Sequence, residues 1–222
     1  MTPNNMAGMA RLAGLQAMAL TDHNASRNCP AFFEAAARME IVPIAGMELT
    51  TAEDIHVVFL FEELEAALDF DADLQGHRML IPNRVDIFGD QLLMNGEDEL
   101  VGTEPHFLTN ATDIIYEDTL NLARQYGGVA YPAHIDREAN GVIATLGTLP
   151  EDPDFPQVEF HDFANIESYT ELYPNVADKK MMYGSDAHYL WQIQDAEHYL
   201  ELPEDLETPE DIRSFIFQTL RG

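Results

Sequence analysis

Six residues are candidate ligands for divalent metals, and they lie in five short motifs. The motifs are LTDHN, GMELTT, DIHVV, YPAHID and YGSDAH, and the candidate ligands are His23, Glu48, His56, His134, Asp186 and His188. Imidazole and carboxylate together suit Zn²⁺, Mn²⁺ or Fe²⁺, and the absence of a thiolate from the set argues against a structural zinc finger. Two or more ions that share a carboxylate are suited to the hydrolysis of phosphate esters.

Each candidate taken alone also has an ordinary structural explanation. A lone histidine such as His56 or His134 is more often a hydrogen-bonded core or surface residue, and Asp22 could begin a turn or cap a helix. Glu48 could pair with an arginine, and Asp186 could pair with His188 within a loop. The combination favours a metal site, because five predicted strand ends each deliver a ligand. Surface or packing roles are expected for the remaining histidines, His77, His106, His161 and His198.

The elements that must position these ligands are short strands that alternate with helices. Residues 15–21 predict a buried strand that ends at Asp22 and His23, and two further strands, 41–50 and 54–61, carry Glu48 and His56. Three later strands are predicted in VAYPAH, VEFHDF and KMMYGSDAH. This alternation predicts parallel βαβ units in one α/β domain, with the functional residues at strand C-termini.

Helical patterns occupy most of the remaining chain. The predicted helices are an N-terminal one that begins near Pro3 and stops at Gly14, one opened by Pro30, a weak one over 63–80, one over 112–126, and the final PEDIRSFIFQTL. Residues 84–103 predict a β-hairpin, because Asn95 and Gly96 lie between LLM and ELVG. This hairpin is interpreted as part of an insertion over about 64–120.

The charge balance excludes some classes of partner. Lys and Arg number 11 against 40 Asp and Glu, which gives a formal charge of −29 over 222 residues. Extended nucleic acid and anionic membranes would be repelled, whereas a small phosphate ester held by metal ions is compatible with this charge. The acidity is interpreted as a well-solvated surface, with adaptation to high salt as the alternative. A single cysteine, Cys29, and the lack of a signal peptide or long apolar run predict a soluble cytoplasmic protein.

In their order along the chain, LTDHN, IAGMELTT with DIHVV, YPAHID and YGSDAH resemble the later motifs of the polymerase and histidinol phosphatase (PHP) family. The resemblance covers about residues 11–220 and is weakest over 64–120. It implies a distorted (β/α)7 barrel with up to three divalent metals, Zn, Mn or Fe. It also implies hydrolysis of a phosphomonoester or phosphodiester by metal-activated water.

The resemblance further implies a role for each ligand. Glu48 would bridge two metals, His56 and His134 would complete the second, Asp186 would serve the first, and His23 with His188 would hold a third. Glu48, Asp186 and His188 would then be the catalytic groups, with His188 or a water as proton source. Asp22 would lie behind His23 and orient it.

Two arginines lie near the motifs of this arginine-poor chain. Arg27 and Arg137 are predicted to contact a non-bridging phosphate oxygen, and the alternative for each is a salt bridge to one of the many carboxylates. The family-level substrates are nucleoside monophosphates, histidinol phosphate and short oligonucleotides. The negative charge favours the smallest of these.

The N-terminus departs from the family pattern. Family members begin with a strand that ends in His-x-His, whereas this chain starts at the following helix. The barrel is therefore expected to lack its first strand, through a start codon placed too far downstream, a shortened chain or a natural truncation. Exposed strand edges would favour a homo-oligomer. The alternative function is a metal-binding or regulatory domain with impaired catalysis, and an amide or ester hydrolase is disfavoured because no nearby Lys could bridge metals as a carbamate.

Overall fold

The structure, a computed structural model, describes residues 1–221 and confirms the α/β class. The strands are β1 (Ala17–Leu20), β2 (Val42–Thr50), β3 (His56–Phe61), β4 (Leu92–Met94), β5 (Leu100–Thr103), β6 (Val129–Pro132), β7 (Gln157–Glu159) and β8 (Lys180–Met182). The helices are α1 (Pro3–Leu12), α2 (Cys29–Arg38), α3 (Leu64–Leu74), α4 (Val85–Phe88), α5 (Thr119–Gln125), α6 (Val142–Leu146), α7 (Ile166–Leu172), α8 (Pro174–Ala177) and α9 (Pro209–Arg221). Within residues 1–221, no helix has the length and apolar character needed to cross a bilayer.

The largest sheet has four strands in the order β1-β2-β3-β6. β1 runs parallel to β2, but β3 runs antiparallel to both β2 and β6. The register places Thr50 opposite His56 and Pro132 opposite Val57. The end of β2, the start of β3 and the end of β6 therefore meet at one edge of the sheet.

The prediction of parallel βαβ units is wrong for β3 and β6. A parallel connection needs a crossover of about a dozen residues, whereas only residues 51–55 connect β2 with β3. The chain turns at Thr51, whose N–H donates to the carbonyl of Ile55 (2.9 Å) and whose hydroxyl accepts from the Ile55 N–H (3.2 Å). β2 and β3 consequently form a hairpin.

β7 and β8 form a separate parallel pair beside the end of β6. The N–H of Ile135 donates to the carbonyl of Glu159 (2.8 Å), which links the two sheets. Within residues 1–221, β1 and β8 each have one edge without a strand partner, and residues of both line a cavity of about 1380 Å³. A closed (β/α)7 barrel is therefore not confirmed, since the described strands form sheets of four, two and two strands.

β2 is buried along its whole length because helices cover both of its faces. On one side, Phe32 of α2 and Phe70 of α3 belong to the main core, and the Phe70 ring stacks on Phe59 of β3 with centroids 5.0 Å apart. On the other side, Phe217 and Leu220 of α9 pack in a second cluster. Each such side chain contributes about 1.5–3 kcal/mol through burial. The two-sided cover explains why β2 reads as a nearly continuous apolar run.

The predicted hairpin is confirmed as β4 and β5, joined by a five-residue connection, 95–99, whereas residues 85–88 of the predicted range form α4. The Asn95 side chain shapes this loop, because its Oδ1 accepts from the N–H groups of Glu97 (3.0 Å) and Glu99 (2.9 Å). The helix predicted over 112–126 begins later, at Thr119. Thr112 instead pairs with Thr50 through an N–H to carbonyl hydrogen bond of 3.0 Å.

Candidate metal centre

The sheet edge at which β2, β3 and β6 meet brings three predicted ligands together. Glu48 lies near the end of β2, His56 is the first residue of β3, and His134 follows β6 by two residues. Because β3 is antiparallel to its neighbours, its beginning lies where the neighbouring strands end. Glu48 and His134 are buried and His56 is nearly so.

The ligand atoms of these residues form a small triangle. Glu48 Oε1 lies 3.1 Å from His56 Nδ1 and 3.2 Å from His134 Nε2, and the two nitrogens lie 3.2 Å apart. Ligands about 2.1 Å from a metal are about 3.0 Å apart in an octahedron and about 3.4 Å apart in a tetrahedron. The triangle therefore fits one face of a metal coordination shell.

The second carboxylate oxygen of Glu48 faces another histidine. His23 pairs with Glu48 through an isolated parallel bridge at the end of β1, and its Nδ1 lies 3.1 Å from Glu48 Oε2. That nitrogen is buried and has no hydrogen-bond partner among residues 1–221. One ligand atom from each of His23, Glu48 and His56 lies within 4.8 Å of the others. An imidazole nitrogen that has no hydrogen-bond partner, together with a neighbouring carboxylate oxygen, provides two donors suited to a divalent metal.

The charge states of these groups also suit a metal. Burial raises the pKa of Glu48, but hydrogen bonds with His134 and His56 and the nearby imidazoles outweigh it and bring the pKa well below its usual range. Burial lowers the pKa of His23, although Glu48 opposes this shift. Glu48 is thus ionised and His23 neutral, the forms in which both bind metals.

Asn24 fixes the strand ends that carry His23 and Glu48. Its side-chain Oδ1 accepts from the N–H of Thr50 (2.9 Å), and its Nδ2 donates to the carbonyl of Leu108 (2.6 Å). The backbone of Asn24 has a φ of 46°, a left-handed conformation that asparagine tolerates. The sequence analysis had no role for this residue.

Asp186 and His188 lie beyond the end of β8 and line the same cavity as His23 and Glu48. The His23 and His188 rings have centroids 5.9 Å apart. Asp186 Oδ2 accepts a hydrogen bond from Arg137 Nη1 (2.7 Å), and the backbone carbonyl of Asp186 lies 2.9 Å from His188 Nδ1. These two residues thus border the same cavity as the cluster, and their role as ligands stays a prediction.

Asp22 is held by a neighbour other than His23. Its Oδ2 accepts from Asn28 Nδ2 (3.1 Å), and burial raises its pKa. The orienting role proposed for Asp22 stays a prediction.

Both candidate phosphate-binding arginines form ion pairs. Arg27 pairs with Glu104 through Nη2, and its Nε lies 3.8 Å from Asp71. Burial raises the pKa of Glu104, but the His106 N–H, Arg27 and Arg78 lower it to about 2 overall. Arg137 pairs with Asp186 at the cavity. The salt bridges considered in the sequence analysis are thus present, and phosphate contact stays a prediction for both arginines.

Glu159 is a cavity residue that the sequence analysis missed. It is the last residue of β7, only 6% exposed, and it lines the cavity with Glu48 and Asp186. Burial and the two neighbouring carboxylates raise its pKa to about 8. Glu159 is the second residue of the predicted strand VEFHDF, so a search for acidic residues at predicted strand ends misses it, whereas the observed strand ends at Glu159.

The four other histidines lie outside the cluster. His77 contacts Asp113, His106 contacts Glu104, His198 stacks on Tyr183, and His161 is exposed.

Comparison with known proteins yields a family match and a fold. The family model of the PHP domain matches residues 1–125. No curated protein matches the chain. The similarity to solved structures covers nearly the whole chain at low identity, so it supports the fold alone.

Three solved structures illustrate this similarity. One, from Bifidobacterium adolescentis, is provisionally assigned as a metal-dependent phosphoesterase, with a TM-score of 0.58, 16% identity and coverage of 97% of this chain and 90% of that one. The lesion-specific endonuclease PfuEndoQ from Pyrococcus furiosus has a TM-score of 0.58 and 12% identity, with 98% and 51% covered. PsfC from Pseudomonas syringae has a TM-score of 0.51 and 16% identity, with 97% and 88% covered.

Proposed function

The chain belongs to the PHP domain family, and from this premise we propose that it is a metal-dependent phosphoesterase that hydrolyses a small phosphomonoester or phosphodiester. One observation carries the proposal. The two oxygens of Glu48 face different imidazoles, Oε1 at 3.1–3.2 Å from His56 and His134 and Oε2 at 3.1 Å from His23. A carboxylate placed in this way can hold two ions side by side.

The metal positions would share Glu48 but differ in their other ligands. Glu48 Oε1, His56 and His134 would hold one ion, Glu48 Oε2 and His23 would contribute to another, and Asp186 and His188 would complete the centre from the cavity side. Two or three ions of Zn²⁺, Mn²⁺ or Fe²⁺ are part of the proposal. When bound, such ions polarise phosphoryl oxygens and activate water.

The chain's own residues would bind and orient the substrate. Arg137 touches Asp186 and is partly exposed, so its guanidinium can contact a phosphate oxygen while it orients that carboxylate. Arg27 lines the cavity and would contact the phosphate through an N–H that its ion pairs leave free. A water at the centre would return a proton to the leaving oxygen, because His188 cannot act as a free acid while it binds a metal.

The remaining features of the proposal follow from size and charge. A cavity of about 1380 Å³ accommodates a small phosphorylated molecule, and the charge of −29 opposes extended nucleic acid and anionic membranes. The unpaired edges of β1 and β8 favour a homo-oligomer. The proposal also includes a distorted barrel whose opening lies between β1 and β8. It includes a cytoplasmic location as well.

A second candidate is a metal-binding or regulatory domain with impaired catalysis. The observation in its favour is the ion pair between Arg137 and Asp186 (2.7 Å), which occupies an oxygen of a predicted ligand. Such a domain would bind metal through His23, Glu48, His56 and His134 without turning over a phosphate ester.

The test combines metal content with a turnover assay. The wild-type protein, the His56→Ala variant and a His77→Ala control would be dialysed without chelator, analysed for metals and assayed with small phosphomonoesters and phosphodiesters. We expect the wild type and the control to hold metal and hydrolyse a substrate, and His56→Ala to lose the ion at its own position together with the activity. Metal without turnover would favour the regulatory domain, and a wild type without metal would refute both candidates.

A further inference from the structure

We propose that Glu159 is an additional metal ligand, which forms with Glu48 and Asp186 a carboxylate-rich position that prefers Mn²⁺ or Mg²⁺ to Zn²⁺. The proposal rests on the metal centre of the proposed function and adds to it a residue that none of the sequence motifs contains. It also gives Gly184 a specific role, that of leaving space for the Glu159 carboxylate.

The backbone places Glu159 next to the ligand-bearing segments. It ends β7, and its carbonyl accepts from the N–H of Ile135, the neighbour of His134. Its side chain lines the cavity that Glu48 and Asp186 also line, yet only 6% of the residue is exposed. The residue is thus buried and borders the cavity that the centre also borders.

The surroundings of this carboxylate are unfavourable without a cation. Glu48 and Asp186 line the same cavity and are also acidic, and Arg137 pairs with Asp186 rather than with Glu159. Ionisation of a buried carboxylate beside two other carboxylates carries a cost in desolvation and repulsion. A divalent ion between the three acidic groups would remove this cost, since opposite charge at short range stabilises the ionised form.

Gly184 supports the same conclusion through packing. A Cβ added at Gly184 would lie 2.3 Å from Glu159 Oε2 and 2.9 Å from its Cδ. Any residue other than glycine would therefore displace the carboxylate. Gly184 stands two residues before Asp186 in YGSDAH, so the carboxylate rests directly on the backbone of the segment that carries Asp186.

The donor chemistry determines the metal preference. Carboxylate oxygens are hard ligands that suit Mn²⁺ and Mg²⁺, whereas imidazole nitrogens suit Zn²⁺. The position near Glu159 would be rich in oxygen donors, and the position between His56 and His134 rich in nitrogen donors. The two positions should therefore be distinguishable by titration with different metals.

The experiment is a calorimetric titration of the metal-free protein with Mn²⁺ and separately with Zn²⁺. The variants are Glu159→Gln, which keeps the shape but removes the charge, Gly184→Ala, which displaces the carboxylate, and His56→Ala. Glu151→Gln, on an exposed loop, controls for the loss of one negative charge. Circular dichroism would verify that each variant is folded.

We expect Glu159→Gln and Gly184→Ala to weaken Mn²⁺ binding by about 10- to 100-fold and to leave Zn²⁺ binding unchanged, while His56→Ala weakens Zn²⁺ binding. Mn²⁺ affinity of Glu159→Gln equal to that of Glu151→Gln would overturn the role of Glu159 and leave the proposed function intact. A wild-type protein that binds neither metal would overturn both proposals. If Gly184→Ala does not fold, the Mn²⁺ affinity of Glu159→Gln alone tests whether Glu159 is a ligand.

Discussion

Glu48 connects two groups of imidazoles because its carboxylate oxygens point in different directions. Oε1 lies between His56 and His134, and Oε2 lies beside His23. The carboxylate is ionised in spite of its burial. Removal of its charge should therefore affect both sides of the centre at once.

We expect Glu48→Gln to lose metal from two positions, because an amide is a poor ligand and offers only one oxygen. Elemental analysis after dialysis would measure this as a drop of two equivalents per chain, with Glu151→Gln as the control. Full metal content in Glu48→Gln would contradict the bridging role. A drop of one equivalent would restrict Glu48 to a single ion.

Glu159 should make the stability of the metal-free protein depend on pH. Its folded pKa of about 8 lies above the ordinary value of 4.5, so the stabilising contribution of the protonated group is fully present below pH 4.5 and is lost as the pH rises towards 8. Each unit of this shift corresponds to about 1.4 kcal/mol. The metal-free wild type should lose stability across this window.

Glu159→Gln should remove this loss. We expect the metal-free variant to be more stable than the wild type at about pH 8.5 and nearly equal to it at about pH 4.5. Urea unfolding in the presence of a chelator at the two pH values would measure the difference. If the wild type and Glu159→Gln have equal free energies of unfolding at both pH values, ionisation of Glu159 does not destabilise the metal-free protein.

At the scale of elements, the β4–β5 hairpin is docked on the N-terminal end of α1. Asp98 in its loop accepts from the Thr2 hydroxyl through Oδ2 (2.6 Å) and from the Asn4 N–H through Oδ1 (3.0 Å). Asn4 Nδ2 in turn donates to the carbonyl of Gly96 (2.7 Å). The Asp98 carboxylate thus caps a helix from a segment more than ninety residues away.

We expect Asp98→Asn to destabilise the protein by about 1 kcal/mol, because both hydrogen bonds lose their charged acceptor and the N-terminus of α1 loses a nearby negative charge. Asp54→Asn is a matched control, since Asp54 is exposed and has a similar φ (65° against 61°). Urea unfolding would measure the change, and metal content should stay constant. Equal stability of the two variants would mean that the hairpin does not depend on this cap.

Most of the candidate site could be predicted at the scale of elements, although one premise was wrong. Glu48, His56 and His134 were expected together because each was assigned to a strand C-terminus. His56 is instead the first residue of β3, and it reaches the cluster because β3 runs in the opposite direction. A ligand beside an apolar run lies at the end of a strand whichever way the strand runs, so this pattern predicted the cluster correctly. The strand direction depends on the five-residue connection between β2 and β3, whose length was not used in the prediction.

Other features depend on packing between distant segments and could not be predicted. The partners of Arg27 and Arg137 are acidic residues far away in the chain, Glu104 and Asp186. A sequence with 40 acidic residues offers many possible partners for each arginine. Glu159 could not be selected either, because the predicted strand VEFHDF continues past it whereas β7 ends at it.

At the scale of the whole molecule, the charge of −29 should oppose the compact state. Salt screens this repulsion, and the Debye length falls from about 10 Å to about 3 Å between 0.1 and 1 M ionic strength. We expect the midpoint of thermal unfolding of the metal-free protein to rise with KCl over this range, and calorimetry would measure it. A midpoint that does not change would show that the acidic groups are too far apart to repel one another appreciably.

The hairpin of β2 and β3 has a consequence for the order of folding. Glu48 and His56 are eight positions apart, whereas His134 lies 78 residues beyond His56 and 86 beyond Glu48. Contacts between near neighbours close small loops at low entropic cost and form early. Synthesis on the ribosome would complete the pairing of Glu48 with His56 before His134 emerges, so that late imidazole would be the last of these three ligands to reach the position between β2, β3 and β6.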